Sequence, residues 1–329
     1  MVMERFNKEE ARQLMNEWGA ARKDFLFVID YEQNQCLLSL LDDVNPEDVL
    51  FHFPSVKNDG NILISPLHSV EWKILPESGA CYRRKFDVVQ HHLHLGNSFL
   101  TNLTCKIPIQ TNLSLKDIYT HSSALYKLWC KDYFVCFSPE IFIRIESGYI
   151  HSYPMKGTIS ADVPDAEHVL MSDNKEAAEH ATIVDLIRND LSMVADEVRV
   201  ERYRYVDRLQ TNKGEILQTS SEIKGRLKGD YLSRLGDIIF AQLPAGSITG
   251  APKKKTQEII AEAEDYKRGF YTGVMGVCKG GVVDSAVMIR FVEADNGRLF
   301  FKAGGGITAQ SKWEDEYNEV IQKAYVPIY

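Results

Sequence analysis

The chain has 329 residues, 44% hydrophobic and 26% charged, with a formal net charge of −8. That length supports a large core in one or two domains, and the composition is that of a folded globular protein rather than a disordered one. The acidic balance, with no basic block, argues against a nucleic-acid partner, and no apolar run approaches the roughly 18 residues that a membrane span needs.

The N-terminal residues 1–15 are too charged for a signal peptide. The six cysteines (Cys36, Cys81, Cys105, Cys130, Cys136, Cys278) are scattered, with no C-x-x-C pair. They fit reduced thiols in a cytoplasmic protein better than a disulfide scaffold or a zinc site.

Residues 4–18 predict an amphipathic helix with Phe6, Ala11, Leu14 and Trp18 on one side. A buried-strand run follows at 25–31, then an acidic turn at 42–48. Residues 50–75 predict two or three short strands, with turns at Asn58-Asp59-Gly60 and at Pro66. A helix over 82–95 ends at Gly96. Its His91, His92 and His94 lack the i, i+4 spacing of helical metal ligands, so ordinary histidines are favoured. Residues 97–104 form a loop into a strand.

From 133 to 152 the pattern is strand, turn, strand, with Ser138-Pro139-Glu140 in the turn. By residue type alone Glu140 is a turn carboxylate. Tyr153-Pro154-Met155-Lys156-Gly157-Thr158 follows. Pro154 fixes a backbone angle before the lysine and Gly157 frees the chain after it, so the ammonium is held at a defined place. Most lysines are solvated surface residues, but a positioned one can clamp an anion or act as a nucleophile.

Residues 174–193 form the strongest predicted helix, with Ala177, Ala181, Val184, Ile187 and Leu191 as its apolar stripe. Glu179 lies on a partly apolar line, which is costly unless it is paired or bound to a metal; Lys175 one turn earlier is the plain alternative. Strands are expected at 198–208 and 216–227. The loop Leu243-Pro244-Ala245-Gly246-Ser247-Ile248-Thr249-Gly250-Ala251-Pro252-Lys253-Lys254 invites comparison with a phosphate-binding loop, but its glycine spacing fails that motif. It feeds a helix over 252–263, whose start could hold an anion.

Gly276-Val277-Cys278-Lys279-Gly280 imitates a glutaminase nucleophile turn. A strand follows where that turn needs a helix, and no histidine occurs after His180, so 271–291 is expected to be a β-hairpin. A strand over 299–303 runs into Gly304-Gly305-Gly306, where a ligand could approach the backbone. On the last helix, 312–324, Trp313, Tyr317, Val320 and Ala324 face a core. Glu316, Glu319 and Lys323 share the other side, as a solvated stripe by default. The mixed strand spacing favours an α+β fold with antiparallel sheets over a doubly wound one.

These segments, in this order, resemble the chorismate-utilising enzymes: the large subunits of anthranilate and aminodeoxychorismate synthases, and the isochorismate and salicylate synthases. The resemblance rests on Ser138-Pro139-Glu140; Pro154 to Thr158; Ala178-Glu179-His180 with 184–190; 243–253; Tyr271-Thr272-Gly273; Ile289-Arg290; 303–307; and Glu316-Tyr317-Asn318-Glu319. It implies a single chorismate-binding domain over 1–329, with a shortened N-terminal part (about 1–80) and a family-like core (about 86–325). The implied fold is anthranilate synthase component I-like, antiparallel sheets forming a sandwich with helices outside.

Lysine at 156 is similar to the aminodeoxychorismate-forming branch, where anthranilate synthases have alanine. In isochorismate and salicylate synthases a water-activating lysine stands at the position of Leu100, which cannot do that task. Amino-transferring members usually have glutamine there, so Leu100 departs from them too, as Gln218 departs from a family histidine.

The resemblance implies Mg²⁺ held by Glu179 and Glu319 with help from Glu316, binding the ring carboxylate of chorismate. Arg290 and Lys323, with Tyr271 and the backbone at Gly304, Gly305 and Gly306, would hold the other carboxylate. Glu140 would be the general acid and Lys156, in neutral form, the covalent nucleophile, with Thr158 in the same catalytic segment. Ammonia would come from a separate glutamine amidotransferase subunit, for 4-aminobenzoate and folate synthesis. Anthranilate synthase component I, another chorismate enzyme and a non-catalytic binding relative remain the alternatives. Little tryptophan binding is expected, since the relevant N-terminal element is not visible.

Overall fold

Asn7 separates the first strand from the first helix. Its side chain accepts from the backbone N–H groups of Glu9 and Glu10, and the Glu10 carboxylate reaches back to the Asn7 N–H. This capping box starts the helix later than the apolar spacing implied. The computed structural model describes residues 3–60, 62, 69–211, 214–326 and 328, the side chains of Lys175, Gln210 and Thr211 excepted.

The chain begins with β1 (Glu4–Phe6), α1 (Lys8–Ala20), β2 (Phe25–Ile29), β3 (Cys36–Leu40), β4 (Val49–His52) and β5 (Trp72–Ile74). Then come α2 (Gly79–His94), β6 (Leu100–Thr111), α3 (Leu115–Thr120), β7 (Tyr126–Cys130), β8 (Phe134–Ser138), β9 (Ile141–Glu146) and β10 (Tyr149–Ser152). The middle holds β11 (Met155–Ser160), α4 (Ala166–Ser172), α5 (Asn174–Ser192), β12 (Ala195–Thr211), β13 (Gly214–Leu227) and α6 (Leu235–Ala241). The rest is β14 (Gly250–Ala251), α7 (Lys253–Ala263), β15 (Val274–Lys279), β16 (Val282–Val287), β17 (Phe291–Asp295), β18 (Arg298–Ile307) and α8 (Trp313–Lys323).

The strands make two antiparallel sheets. One runs β1-β3-β2-β15-β16-β9-β10-β13-β11, with β12 also on β13; the other runs β14-β6-β18-β17-β8-β7-β4, with β5 also on β6. The side-chain period of two sorts each strand into two faces. Leu26, Val28, Met275, Val277 and Ala286 of the first sheet meet Phe51, Leu128, Phe134, Cys136 and Phe291 of the second in a dry inter-sheet core.

The alternate residues face outward. Phe25, Phe27, Ile143, Ile145 and Val283 pack under α1, α5 and α6. Leu103, Cys105, Ile107, Val135 and Phe301 pack under α2, α3, α7 and α8. The result is helices, sheet, sheet, helices, which is the expected α+β sandwich. Among the described residues no helix is long and apolar enough to cross a membrane.

Three expectations change. Gly304–Gly306 lie inside β18, paired with Thr104, Leu103 and Asn102 of β6, and not at a free strand end. On α5 the buried line is His180, Ile183, Val184, Ile187 and Leu191, while Ala181 is exposed. On α8 Glu316 is buried at 6% exposure, because the helix packs over the glycine strand, where no side chain keeps it at a distance. Pro66 lies outside the described residues.

Candidate active site

Lys156 stands at a bulge. Along β11 it pairs with Thr219 of β13, and Thr158 pairs with Gln218, so Gly157 is the extra residue. Gly157 has φ +73°, and a Cβ there would come 3.1 Å from Glu176 Oε2 and 3.2 Å from Leu170 Cδ1. Both the positive φ and the close neighbours favour glycine. The Thr219 hydroxyl donates to the Lys156 carbonyl and pins the backbone. The ammonium lies 3.6 Å from Glu179 Oε2, close enough for attraction but long for a hydrogen bond. It also lies 3.3 Å from the point a Gly306 Cβ would occupy, and Leu100 Cδ1 lies 3.1 Å from that same point.

Glu140 follows the end of β8. Its N–H donates to Ser138 Oγ at 3.0 Å, and its carbonyl accepts from Val287 N–H at 3.1 Å. Its carboxyl accepts a hydrogen bond from the Ser247 hydroxyl. Burial raises the Glu140 pKa, against smaller lowering effects from the Ser247 hydrogen bond and the Lys156 charge. A carboxyl held toward its protonated form beside a lysine has the character of a general acid.

The glycine strand gathers the remaining acids. The Cβ position of Gly305 is 3.5 Å from Glu316 Oε2 and 3.7 Å from Glu319 Oε1. Lys323 Nζ lies 2.5 Å from Glu319 Oε1 and donates to Gly304 O at 3.2 Å. A run without side chains therefore lets Glu316 and Glu319 approach Gly305 and Lys156 approach Gly306, with Glu179 beside Lys156.

Among the described residues no group of three His, Cys, Asp or Glu could hold a metal by itself. An all-oxygen set split between Glu179 and the Glu316–Glu319 pair nevertheless suits Mg²⁺, which is bound through one or two carboxylates and completed by water and substrate. The alternative partner of Glu179, the Lys175 side chain, lies outside the described residues.

Thr158, Tyr271 and Arg290 lie outside this set of contacts. Thr158 is exposed beyond the bulge. Tyr271 is buried beside the Phe291 ring, its hydroxyl pKa pushed up by burial. Arg290 has φ +50° and sits 5.4 Å over the Tyr325 ring. On α2, His92 meets Glu262 and Asn97 and His94 bonds the Gln90 carbonyl, as ordinary histidines do.

Three groups here were not assigned a role from sequence. His180 is fully buried, with Nε2 2.6 Å from Ser221 Oγ, and burial first, then the Arg204 and Lys156 charges, lower its pKa to about 4. Its i+3, i+4 spacing to Ile183 and Val184 was the available signal. Asp190 and Lys253 form a 2.7 Å pair between α5 and α7, with burial the largest influence on each: it raises the Asp190 pKa and lowers that of Lys253. Ser247 had no signal except its place in the unusual loop.

A model of the chorismate binding enzyme family matches residues 63–328. The chain is 46% identical over 314 residues to an uncharacterized PabA-like protein of Haemophilus influenzae, covering 95% of each chain. It is 37% identical over 195 residues to anthranilate synthase component 1 of Aquifex aeolicus, which is 57% of this chain and 38% of that one. MenF, the menaquinone-specific isochorismate synthase from Escherichia coli, shares the fold, with a TM-score of 0.76 at 17% identity over 98% of this chain and 82% of that one.

Proposed function

The chain belongs to the chorismate binding enzyme family, and we propose that within it the reaction is amination of chorismate at C4, as in aminodeoxychorismate synthase component I. The observation that carries this is Lys156, aimed by the Gly157 bulge onto the glycine strand, with Glu179 at 3.6 Å and a Leu100 methyl beside it. A chain doing water chemistry would need a base where Leu100 stands.

The chemistry is a double displacement. The neutral Lys156 amine adds to C2 of the ring, the ring double bonds shift, and the C4–O bond breaks. Glu140 gives its proton to the departing oxygen, which leaves as water. Ammonia then adds at C4, the double bonds shift back, and the C2–N bond to Lys156 breaks. The Lys156 nitrogen, which carries the extra proton while bonded to C2, departs as the neutral amine, and the one proton lost from the new C4 ammonium restores Glu140. The product is 4-amino-4-deoxychorismate, a precursor of 4-aminobenzoate.

Glu179, Glu316 and Glu319 would hold Mg²⁺, whose charge would bind and orient the ring carboxylate. Lys323, Arg290 and Tyr271, with the backbone at Gly304–Gly306, would receive the other carboxylate. A glutamine amidotransferase subunit would supply ammonia, since Gly276-Val277-Cys278-Lys279-Gly280 lies in the β15–β16 hairpin and not in a strand-to-helix nucleophile turn.

The test is the product. With chorismate, Mg²⁺ and ammonium, 4-aminobenzoate should form only after an aminodeoxychorismate lyase is added. Fluorescent anthranilate formed without lyase would assign the chain to the anthranilate branch instead.

A further inference from the structure

The loop 243–254 has the look of a ligand-binding motif, yet the chemistry above uses none of it. Its backbone is tied down from several sides. Lys253 pairs with Asp190 at 2.7 Å and donates to Gln242 O at 2.8 Å, and Gln242 Nε2 donates to Asp190 O at 3.1 Å. Arg268 Nη1 donates to Ile248 O at 3.0 Å, and Asn102 N–H donates to Thr249 O at 2.9 Å. Gly250 pairs with Thr101 at the start of β6. Gly246 is pressed against α5 so closely that a Cβ would come 2.8 Å from Leu186 Cδ2.

These ties hold a single turn, Gly246–Ile248, and from it the Ser247 hydroxyl donates to Glu140 Oε1. A carboxyl with one oxygen engaged as an acceptor carries its proton on the other oxygen and has lost its free rotation.

We propose that Ser247 is a positioning residue for Glu140: it holds Oε1 so that Oε2 carries the proton delivered to the C4 oxygen. This rests on the assignment of Glu140 as the general acid. In the step, the Oε2–H bond breaks, the proton passes to the oxygen leaving C4, and water departs. The carboxylate left behind accepts a stronger, charge-assisted hydrogen bond from Ser247 than the acid did, so the contact favours proton release. The anchored loop is the frame that keeps the hydroxyl in place.

The test compares Ser247→Ala, Ser247→Thr and Glu140→Gln with the parent chain, using chorismate, Mg²⁺ and ammonium. Ser247→Ala should lower kcat about 10- to 100-fold, with KM for chorismate within about 2-fold, as expected for a misplaced acid. Glu140 feels Ser247 and the Lys156 charge, both of which lower its pKa. Losing the hydroxyl therefore moves the alkaline limb of the kcat profile to higher pH. Ser247→Thr should restore most of the rate and the limb.

If Ser247→Ala fails to fold by circular dichroism, Ser247→Cys, a weaker donor of similar size, should show an intermediate loss. Unchanged kcat and an unmoved limb in a folded variant would overturn the proposal, and so would a raised KM alone. If Glu140→Gln still loses turnover in that case, the general acid stands and only the role of Ser247 falls. If Glu140→Gln keeps full turnover, the assignment of the acid itself is wrong.

Discussion

Two charge clusters border the glycine end of β6 and β18, one around Arg268 and one around Lys156, and they are built in opposite ways. Around Arg268, 1% exposed, the donors are placed on fixed protein acceptors. Nε and Nη2 grip Glu264 at 2.9 and 2.6 Å, Nη2 also reaches Asn102 O at 2.6 Å, and Nη1 reaches Ile248 O at 3.0 Å. Glu264 in turn accepts from Thr104 N–H and Oγ1.

Around Lys156 the contacts are longer and partly open to solvent. Its ammonium stands 3.6 Å from Glu179, is 21% exposed, and faces a strip of bare glycine backbone. A saturated ion pair fixes structure, since its energy of interaction is already used against desolvation. A longer, partly exposed one at 3.6 Å lets its ammonium turn toward a ligand. The first cluster holds the floor on which the second one works.

Breaking each cluster should give opposite signatures. Lys156→Ala should lower ammonia-dependent turnover by at least about 10³-fold, a barrier change of about 4 kcal/mol. Its melting temperature should stay close to that of the parent, and steady-state assay with a thermal melt reads both. Arg268→Met leaves Glu264 buried without its partner and should cost about 3–5 kcal/mol of stability by denaturant titration. Replacing both partners by apolar residues should recover part of that loss.

A third buried charge sharpens the contrast. Asp30, 3% exposed, accepts from Gln35 N–H at 2.8 Å and has no salt-bridge partner among the described residues, and burial raises its pKa to about 6. A raised carboxyl pKa gives a stability contribution that is whole below the unfolded value near 4 and is lost as pH rises through about 6. Asp30→Asn should therefore stabilise the fold by about 3 kcal/mol at pH 8 and by less than about 1 kcal/mol near pH 4. Equal effects at both pH values would exclude the charge as the cause.

The smallest stability effect is expected at the rim. Lys323 and Glu319 are about half exposed, so Lys323→Met should change stability by less than about 1 kcal/mol. It should raise KM for chorismate, because the side chain faces the glycine strand.

Much of this was legible in the sequence where local pattern and tertiary packing agree. The β2 run, the α5 helix and the β15–β16 hairpin follow from periodicity and glycine placement. The start of α1 was misplaced although Asn7 and Glu10 spelled out the capping box. The burial of Glu316 was hidden because it depends on the absent side chains of a strand that is distant in sequence. Ser247 was hidden for the same reason: its contact with Glu140 spans 107 residues, and a serine in a loop has no periodicity to betray it. What local pattern could not supply was the relation between α5, α8 and the glycine strand.

The most direct measurement is peptide mass spectrometry on enzyme quenched during turnover of chorismate with Mg²⁺ and limiting ammonia. An adduct of chorismate less one water should appear on the peptide containing Lys156, absent in Lys156→Ala and discharged when ammonium is added. Continued formation of 4-amino-4-deoxychorismate by Lys156→Ala, with no adduct in the parent, would contradict the assignment of Lys156 as the nucleophile.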